Sequence, residues 1–116
     1  YSVIQPEKDM LIHTNHYLTE RFKKGTNIFG FMEGDSYIRY QRLKRLMEKH
    51  YGRLTIELFE EFFTDHTDYP RSICKHTDLQ VQLGETLAAV VMVPEERVMY
   101  ATWGQPCQYE YIRYEL

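Results

Sequence analysis

Two cysteines are the clearest candidate nucleophiles in this 116-residue chain, and one lies in an alternating run of reactive side chains. Ser72, Cys74 and His76 alternate, so in an extended backbone they share one face and suggest a nucleophile with its base. Neighbouring side chains on one face point in parallel, however, and no acid is placed by the sequence to orient His76. We therefore expect this segment to be a structural loop near a site rather than a catalytic pair.

Metal binding is the second chemistry that the residue types suggest. His13 and His16 are close in sequence, and Asp65, His66 and Asp68 offer further ligands. On a strand, residues three apart face opposite ways, so the two histidines cannot hold one ion without a turn between them. The sequence therefore predicts no metal site, and nothing in it requires an organic cofactor.

A cation on an apolar helix face is the third feature. Apolar residues recur at helical spacing from residue 36 to 51, which predicts a helix with Asp35 or Ser36 as N-cap that stops before Gly52. Arg39 falls within the apolar arc of this helix and in its predicted first turn, where the helix dipole disfavours positive charge. It therefore needs a partner, either at a functional site or in a structural ion pair with a carboxylate.

The rest of the chain is predicted to form one further helix, four short strands and two loops. A second amphipathic helix is predicted after Thr55, and residues 9–14 (DMLIHT) have the apolar centre of a short strand. Glycine-rich residues 23–35 and polar residues 65–78 are predicted loops. Three apolar stretches separated by turn residues predict an antiparallel meander, over residues 87–93, 97–103 and 107–115.

Composition and charge restrict the class of protein. The chain is 43% hydrophobic and 27% charged, which is typical of a globular chain, and its length fits a single domain over residues 1–116. With a net charge of −3, the chain is not expected to have the broad positive surface that binds nucleic acid or an anionic membrane. No apolar run approaches the ~20 residues of a membrane span. With two cysteines and no CxxC motif, we expect a soluble protein of the reducing cytoplasm.

Four short stretches carry a family resemblance. They are residues 13–18 (HTNHYL), 36–42 (SYIRYQR), 71–76 (RSICKH) and 104–107 (GQPC). In this order they resemble the acyl-coenzyme A:6-aminopenicillanic acid acyltransferase family, which is similar to the choloylglycine hydrolase and penicillin V acylase branch of N-terminal-nucleophile (Ntn) hydrolases. The resemblance implies an α+β fold, the C-terminal part of an αββα sandwich built from antiparallel strands and two amphipathic helices.

The same resemblance implies roles for particular residues. Asn15, at a predicted strand end, matches the oxyanion-hole asparagine, although an Asx-turn or a cap is the alternative from local sequence alone. Arg39 aligns with an arginine that lies at the nucleophile in the bile-acid hydrolase branch. His16, Tyr17 and His76 are the further residues that we expect to contact substrate.

The resembled enzymes use a cysteine that self-cleavage makes N-terminal, and neither Cys74 nor Cys107 fits that description. We therefore expect the nucleophile-bearing N-terminal portion to lie upstream of Tyr1, and this chain alone to be inactive. The parent is expected to act on linear, non-peptide C–N bonds of a small amide or acyl substrate, with acyl-coenzyme A as an admissible co-substrate. The alternative is a non-catalytic interaction or assembly domain, and either form can pair with its missing portion or with itself.

Overall fold

The computed structural model describes residues 1–23, 30–78 and 84–115. Within them, helices come first and a three-stranded antiparallel sheet follows, which confirms the predicted α+β class. In chain order the elements are α1 (Glu20–Lys23), α2 (Gly30–Lys49), α3 (Ile56–Phe63), β1 (Val90–Val93), β2 (Val98–Ala101) and β3 (Ile112–Glu115). No helix in these ranges is both long and apolar enough to cross a bilayer.

Helix α2 starts earlier than the sequence predicts. It begins at Gly30, so the N-cap assignment to Asp35 or Ser36 is wrong, and both residues lie inside the helix. Their side chains bond to other segments instead of capping: Ser36 bonds to Asn15, and Asp35 bonds to Lys75. Arg39 is consequently beyond the first turn, and the predicted dipole penalty does not apply to it. The predicted loop 23–35 is therefore wrong at residues 30–35, which are helical, and its residues 24–29 lie outside the described ranges.

Helix α3 forms as predicted. Thr55 is its N-cap, and its hydroxyl accepts a hydrogen bond from the Leu58 N–H at 3.2 Å. Phe62 is almost fully buried on the apolar side, and Glu57 and Glu61 are exposed on the other. The apolar face of α3 packs against β1, so the helix covers one face of the sheet.

The predicted meander is confirmed, with strands shorter than the apolar stretches. Residues Pro94–Glu96 form a 3₁₀ turn, and Arg97 takes a left-handed conformation (φ 55°) that leads into β2. The register pairs Val91 with Tyr100 and Val93 with Val98 on one face. This is the face beneath α3, because Val91 and Val98 are buried there.

The opposite face of the sheet is apolar and open. Val90, Met92 and Ile112 point to it, and they are 41%, 60% and 48% exposed. Met99, Ala101 and Tyr114 complete the face through the pairing register. A sheet with a helix on one face and an apolar, open second face is consistent with one half of a layered sandwich.

The predicted strand at residues 9–14 is wrong. Glu7 and Met10 instead exchange backbone hydrogen bonds of 3.0 and 2.9 Å around Lys8 and Asp9, which both have positive φ. This tight turn forms only an isolated bridge, and no described segment pairs with residues 11–14. A strand requires a partner for its backbone groups, and the apolar pattern alone does not supply one.

Candidate functional site

Residues 14–16 are fixed onto helix α2 through Ser36. The Asn15 N–H donates to Ser36 Oγ at 2.8 Å, and Thr14 Oγ1 donates to the Ser36 carbonyl at 3.0 Å. His16 Nδ1 lies 2.9 Å from the same Ser36 oxygen. Because Ser36 is 1% exposed, these bonds are shielded from water and hold the segment in one place.

The structure brings the two predicted catalytic residues into contact. Arg39 Nη2 donates to Asn15 Oδ1 at 2.7 Å and lies 3.4 Å from Asp35 Oδ2, one helical turn earlier. Lys75 Nζ binds the same Asp35 oxygen at 2.8 Å. The partner that Arg39 was expected to need is therefore Asp35 together with Asn15, and the arginine bridges the two.

A cleft of about 330 Å³ adjoins this contact. Arg39 and Thr14 form part of its wall, and Leu43, Phe63 and Ile73 provide apolar lining. Arg39 Nε is buried and has no hydrogen-bond partner among the described residues. A mainly apolar cavity with one cation in its wall can hold an acyl chain next to a polar head.

The predicted substrate-contacting residues 16 and 17 have different environments. His16 is 5% exposed and stacks on Tyr37 with ring centroids 3.7 Å apart. Tyr17 is 51% exposed, with its ring beside Phe22. The burial of His16 favours a role in anchoring the Asn15 segment, and direct substrate contact stays a prediction for both residues.

His76, the third predicted contact, lies in a cluster that sequence reasoning missed. Its Nε2 is 2.9 Å from His66 Nε2, 3.8 Å from Cys74 Sγ and 3.2 Å from Cys107 Sγ. The expectation that Cys74 and His76 point in parallel is therefore wrong, because residues 71–74 form bends rather than an extended strand. The sequence held one signal for this cluster: the motif stretch 71–76 ends in a Cys-x-His pair, and the stretch 104–107 ends in a cysteine.

The two thiols of this cluster are both free, with the sulfur atoms 3.6 Å apart. Cys74 has no exposed surface, and this burial raises the pKa of its thiol to about 11. Cys107 is exposed and sits in a turn where Gly104 (φ 130°) packs against the Tyr109 ring. A Cβ at Gly104 would lie 2.5 Å from that ring, so only glycine fits this turn.

Comparison with known proteins identifies the family. A profile of the acyl-coenzyme A:6-aminopenicillanic acid acyl-transferase family matches residues 1–108. The chain belongs to this family.

The match to this acyl-transferase family covers all four motif stretches and both cysteines. It also includes Asn15, Arg39 and the cluster formed by His66, Cys74, His76 and Cys107, and it ends before β3. The resemblance proposed from the motifs is thereby confirmed, and the fold is consistent with part of an Ntn-type sandwich.

A second ion pair holds the start of the loop that carries the cluster. Arg42 Nε lies 3.1 Å from both oxygens of Asp65, so this guanidinium is paired with a carboxylate. Burial alone would raise the pKa of Asp65, but the Arg42 guanidinium and the Thr67 N–H hold that pKa below its ordinary value. The carboxylate in turn orders the first residues of the loop.

We expect Asp65→Asn to lower the free energy of unfolding by about 1–2 kcal/mol at pH 7, since it removes charge-assisted bonds that are partly exposed. Because the pKa of Asp65 is lower in the folded protein than its value near 3.8 in the unfolded chain, the ionised carboxylate stabilises the fold above that unfolded-state pKa. This contribution is lost as the pH falls through the folded-state pKa. The difference between variant and wild type should therefore shrink below about pH 4. Urea unfolding at pH 7 and pH 3 measures it, and a difference independent of pH would contradict the assignment.

Proposed function

We propose that this segment belongs to an enzyme that hydrolyses or transfers acyl groups at linear, non-peptide C–N amide bonds. The nucleophile is a cysteine encoded before this segment, which self-cleavage makes N-terminal so that its own α-amino group acts as base. Asn15 donates a hydrogen bond to the tetrahedral oxyanion, and Arg39 orients Asn15 at the nucleophile end. No organic cofactor takes part, and acyl-coenzyme A is an admissible acyl donor. The cytoplasmic location expected from the sequence stays a prediction.

The observation that carries this proposal is the hydrogen bond from Arg39 to Asn15 Oδ1. An amide whose oxygen is occupied in this way must direct its NH₂ group elsewhere, and within the described residues that group has no protein acceptor. Asp35 fixes the arginine, and Ser36 fixes the Asn15 backbone. The amide is therefore a donor oriented before substrate arrives, which is the property that lowers the barrier at an oxyanion.

The placement of both cysteines supports a nucleophile outside this segment. Cys74 has no surface that a substrate could reach, and Cys74 and Cys107 are both internal, so neither carries a free α-amino group. Asn15 is held against α2 through Ser36, whereas Cys74 and Cys107 lie in the loop after α3 and in the turn after β2. We therefore assign the proposed oxyanion donor to a nucleophile outside this segment.

The open sheet face supports the sandwich architecture. Val90, Met92 and Ile112 expose apolar surface on the side away from α3. In an αββα sandwich this side packs against a second sheet, and we assign that sheet to the remaining portion of the same protein.

The test is N-terminal sequencing and intact-mass analysis of the full-length gene product. We expect two chains, with the one containing this segment beginning at a cysteine. Substitution of that cysteine with alanine should leave one uncleaved, inactive chain. An uncleaved wild-type protein that lacks an upstream cysteine would overturn the catalytic proposal while leaving family membership in place.

The second candidate function is a non-catalytic assembly domain, and the open apolar face of the sheet is the observation that favours it. In that case Met92→Glu should change the oligomeric state measured by sedimentation, whether the partner is the remaining portion or a second copy. Cysteine-initiated cleavage and amide hydrolysis would both be absent.

A further inference from the structure

Four side chains of the ligand types that bind zinc converge on one point of the structure. His66, Cys74 and His76 come from the loop after α3, and Cys107 comes from the turn after β2. Their ligand atoms all lie within 4.8 Å of one another. No residue of this cluster takes part in the proposed acyl-transfer chemistry except through the predicted substrate contact of His76.

Four of the six distances among these atoms lie within about half an ångström of the edges of a tetrahedron around one ion, and the two from His66 to the cysteines are at most 4.8 Å. In a regular tetrahedron, bonds of about 2.3 Å to sulfur and about 2.0 Å to nitrogen place two sulfurs about 3.8 Å apart. A sulfur and a nitrogen are then about 3.5 Å apart, and two nitrogens about 3.3 Å apart. The structure has 3.6 Å between Cys74 Sγ and Cys107 Sγ, and 2.9 Å between the two histidine nitrogens. From His76 Nε2 the sulfurs are 3.8 and 3.2 Å away.

We propose that His66, Cys74, His76 and Cys107 form a structural zinc site that joins the loop after α3 to the turn after β2. All four ligands come from the protein, which is the closed arrangement of a structural site rather than an open catalytic one. Two thiolates balance the charge of the divalent ion, so no carboxylate is needed. Thiolate with imidazole selects zinc over magnesium, calcium or manganese.

The surrounding backbone already holds the ligands in place. The Cys74 N–H donates to the Asp65 carbonyl at 3.0 Å, which sets Cys74 beside the start of the loop near His66. Lys75 exchanges hydrogen bonds with the backbone and the side chain of Thr86, and its ammonium group binds Asp35. Cys74 and its neighbour Lys75 are therefore held by hydrogen bonds before a metal ion binds.

A disulfide is the main alternative for the two cysteines. A disulfide requires the sulfur atoms to be about 2.05 Å apart. It also does not explain why two histidine nitrogens lie next to the same two sulfur atoms. The zinc site uses all four groups, and it also ties the loop end that carries Lys75 to the sheet. Since Lys75 binds Asp35, the ion stabilises the Asp35–Arg39 pair from a distance.

The test measures metal in the full-length gene product, prepared under reducing conditions without a metal-affinity tag. Elemental analysis should find about one zinc per chain. Cobalt(II) in place of zinc should give the visible bands of tetrahedral coordination together with a thiolate charge-transfer band. Cys107→Ser and His66→Gln, at the two exposed ligands, should each weaken zinc binding at least ~100-fold. His13→Gln, at an exposed histidine outside the cluster, should retain one zinc per chain.

A second measurement keeps the proposal testable if a variant fails to fold. In the wild-type protein, zinc should protect both thiols from alkylation, and a strong chelator should release that protection and lower the melting temperature. Any of three results would overturn the proposal: wild-type protein that holds no zinc after exposure to it, a Cys74–Cys107 disulfide under reducing conditions, or unchanged zinc content in Cys107→Ser.

Discussion

Replacing Asn15 with alanine in the full-length gene product is expected to lower kcat by about 10²–10³-fold, the usual cost of losing one oxyanion donor. The donor acts on charge that develops only in the transition state, so kcat should fall while KM changes little. Steady-state kinetics on a small amide substrate measure both constants. Because Asn15 is exposed, the variant should fold and undergo thermal unfolding near the wild-type temperature.

Two comparison variants separate this role from a structural one. Gln41→Ala removes an exposed amide from α2 and should leave the rate unchanged. Arg39→Ala leaves the Asn15 amide in place but frees its orientation, so a smaller loss of kcat is expected than for Asn15→Ala. If Asn15→Ala keeps nearly the full rate with folding intact, the oxyanion assignment is wrong.

Local sequence was sufficient where an element depends on its own residues. Helix α3 follows from the spacing of Phe59 and Phe62 and from the Thr55 cap, and all three signals lie within one short segment. The meander follows from apolar runs that turn residues separate, such as Pro94. In both cases the stabilising contacts are between neighbours in sequence or between adjacent strands.

Prediction failed where a residue's partner is distant in sequence. Asp35 and Ser36 have the residue types of an N-cap, but Ser36 bonds to Thr14 and Asp35 bonds to Lys75, and neither partner can be inferred from local pattern. The cluster was missed for the same reason, since Cys107 lies 31 residues from His76. The rule that same-face side chains are parallel applies only to extended backbone, and this loop bends.

The predicted site pair depended on the motifs rather than on periodicity. Helical spacing placed Arg39 on the buried side, but only the family motifs connected it with Asn15. The structure shows the physical link between them, which is a chain of contacts from Lys75 through Asp35 and Arg39 to the Asn15 amide. Each member is oriented by the one before it, so a fault at Asp35 affects both stability and the donor.

We expect Asp35→Asn to lower the free energy of unfolding by about 3 kcal/mol, close to the cost of breaking a buried ion pair. The Asp35 side chain is 8% exposed, and its loss as an anion leaves the cations of Lys75 and Arg39 without their shared partner. Those two side chains keep 18% and 21% exposure, so some of the cost is relieved by water. Urea unfolding of the full-length gene product measures the change.

The matched control is Glu48→Gln on the same helix. Glu48 lies 3.9 Å from Lys44 in a pair whose side chains are 38% and 49% exposed, and such pairs contribute about 0.5 kcal/mol or less. The double variant Asp35→Leu with Lys75→Met should recover part of the loss, because it removes one of the two charges that Asp35→Asn leaves without their partner. Equal effects of Asp35→Asn and Glu48→Gln would show that the buried network does not stabilise the fold, and Arg39 would then need another explanation for its position.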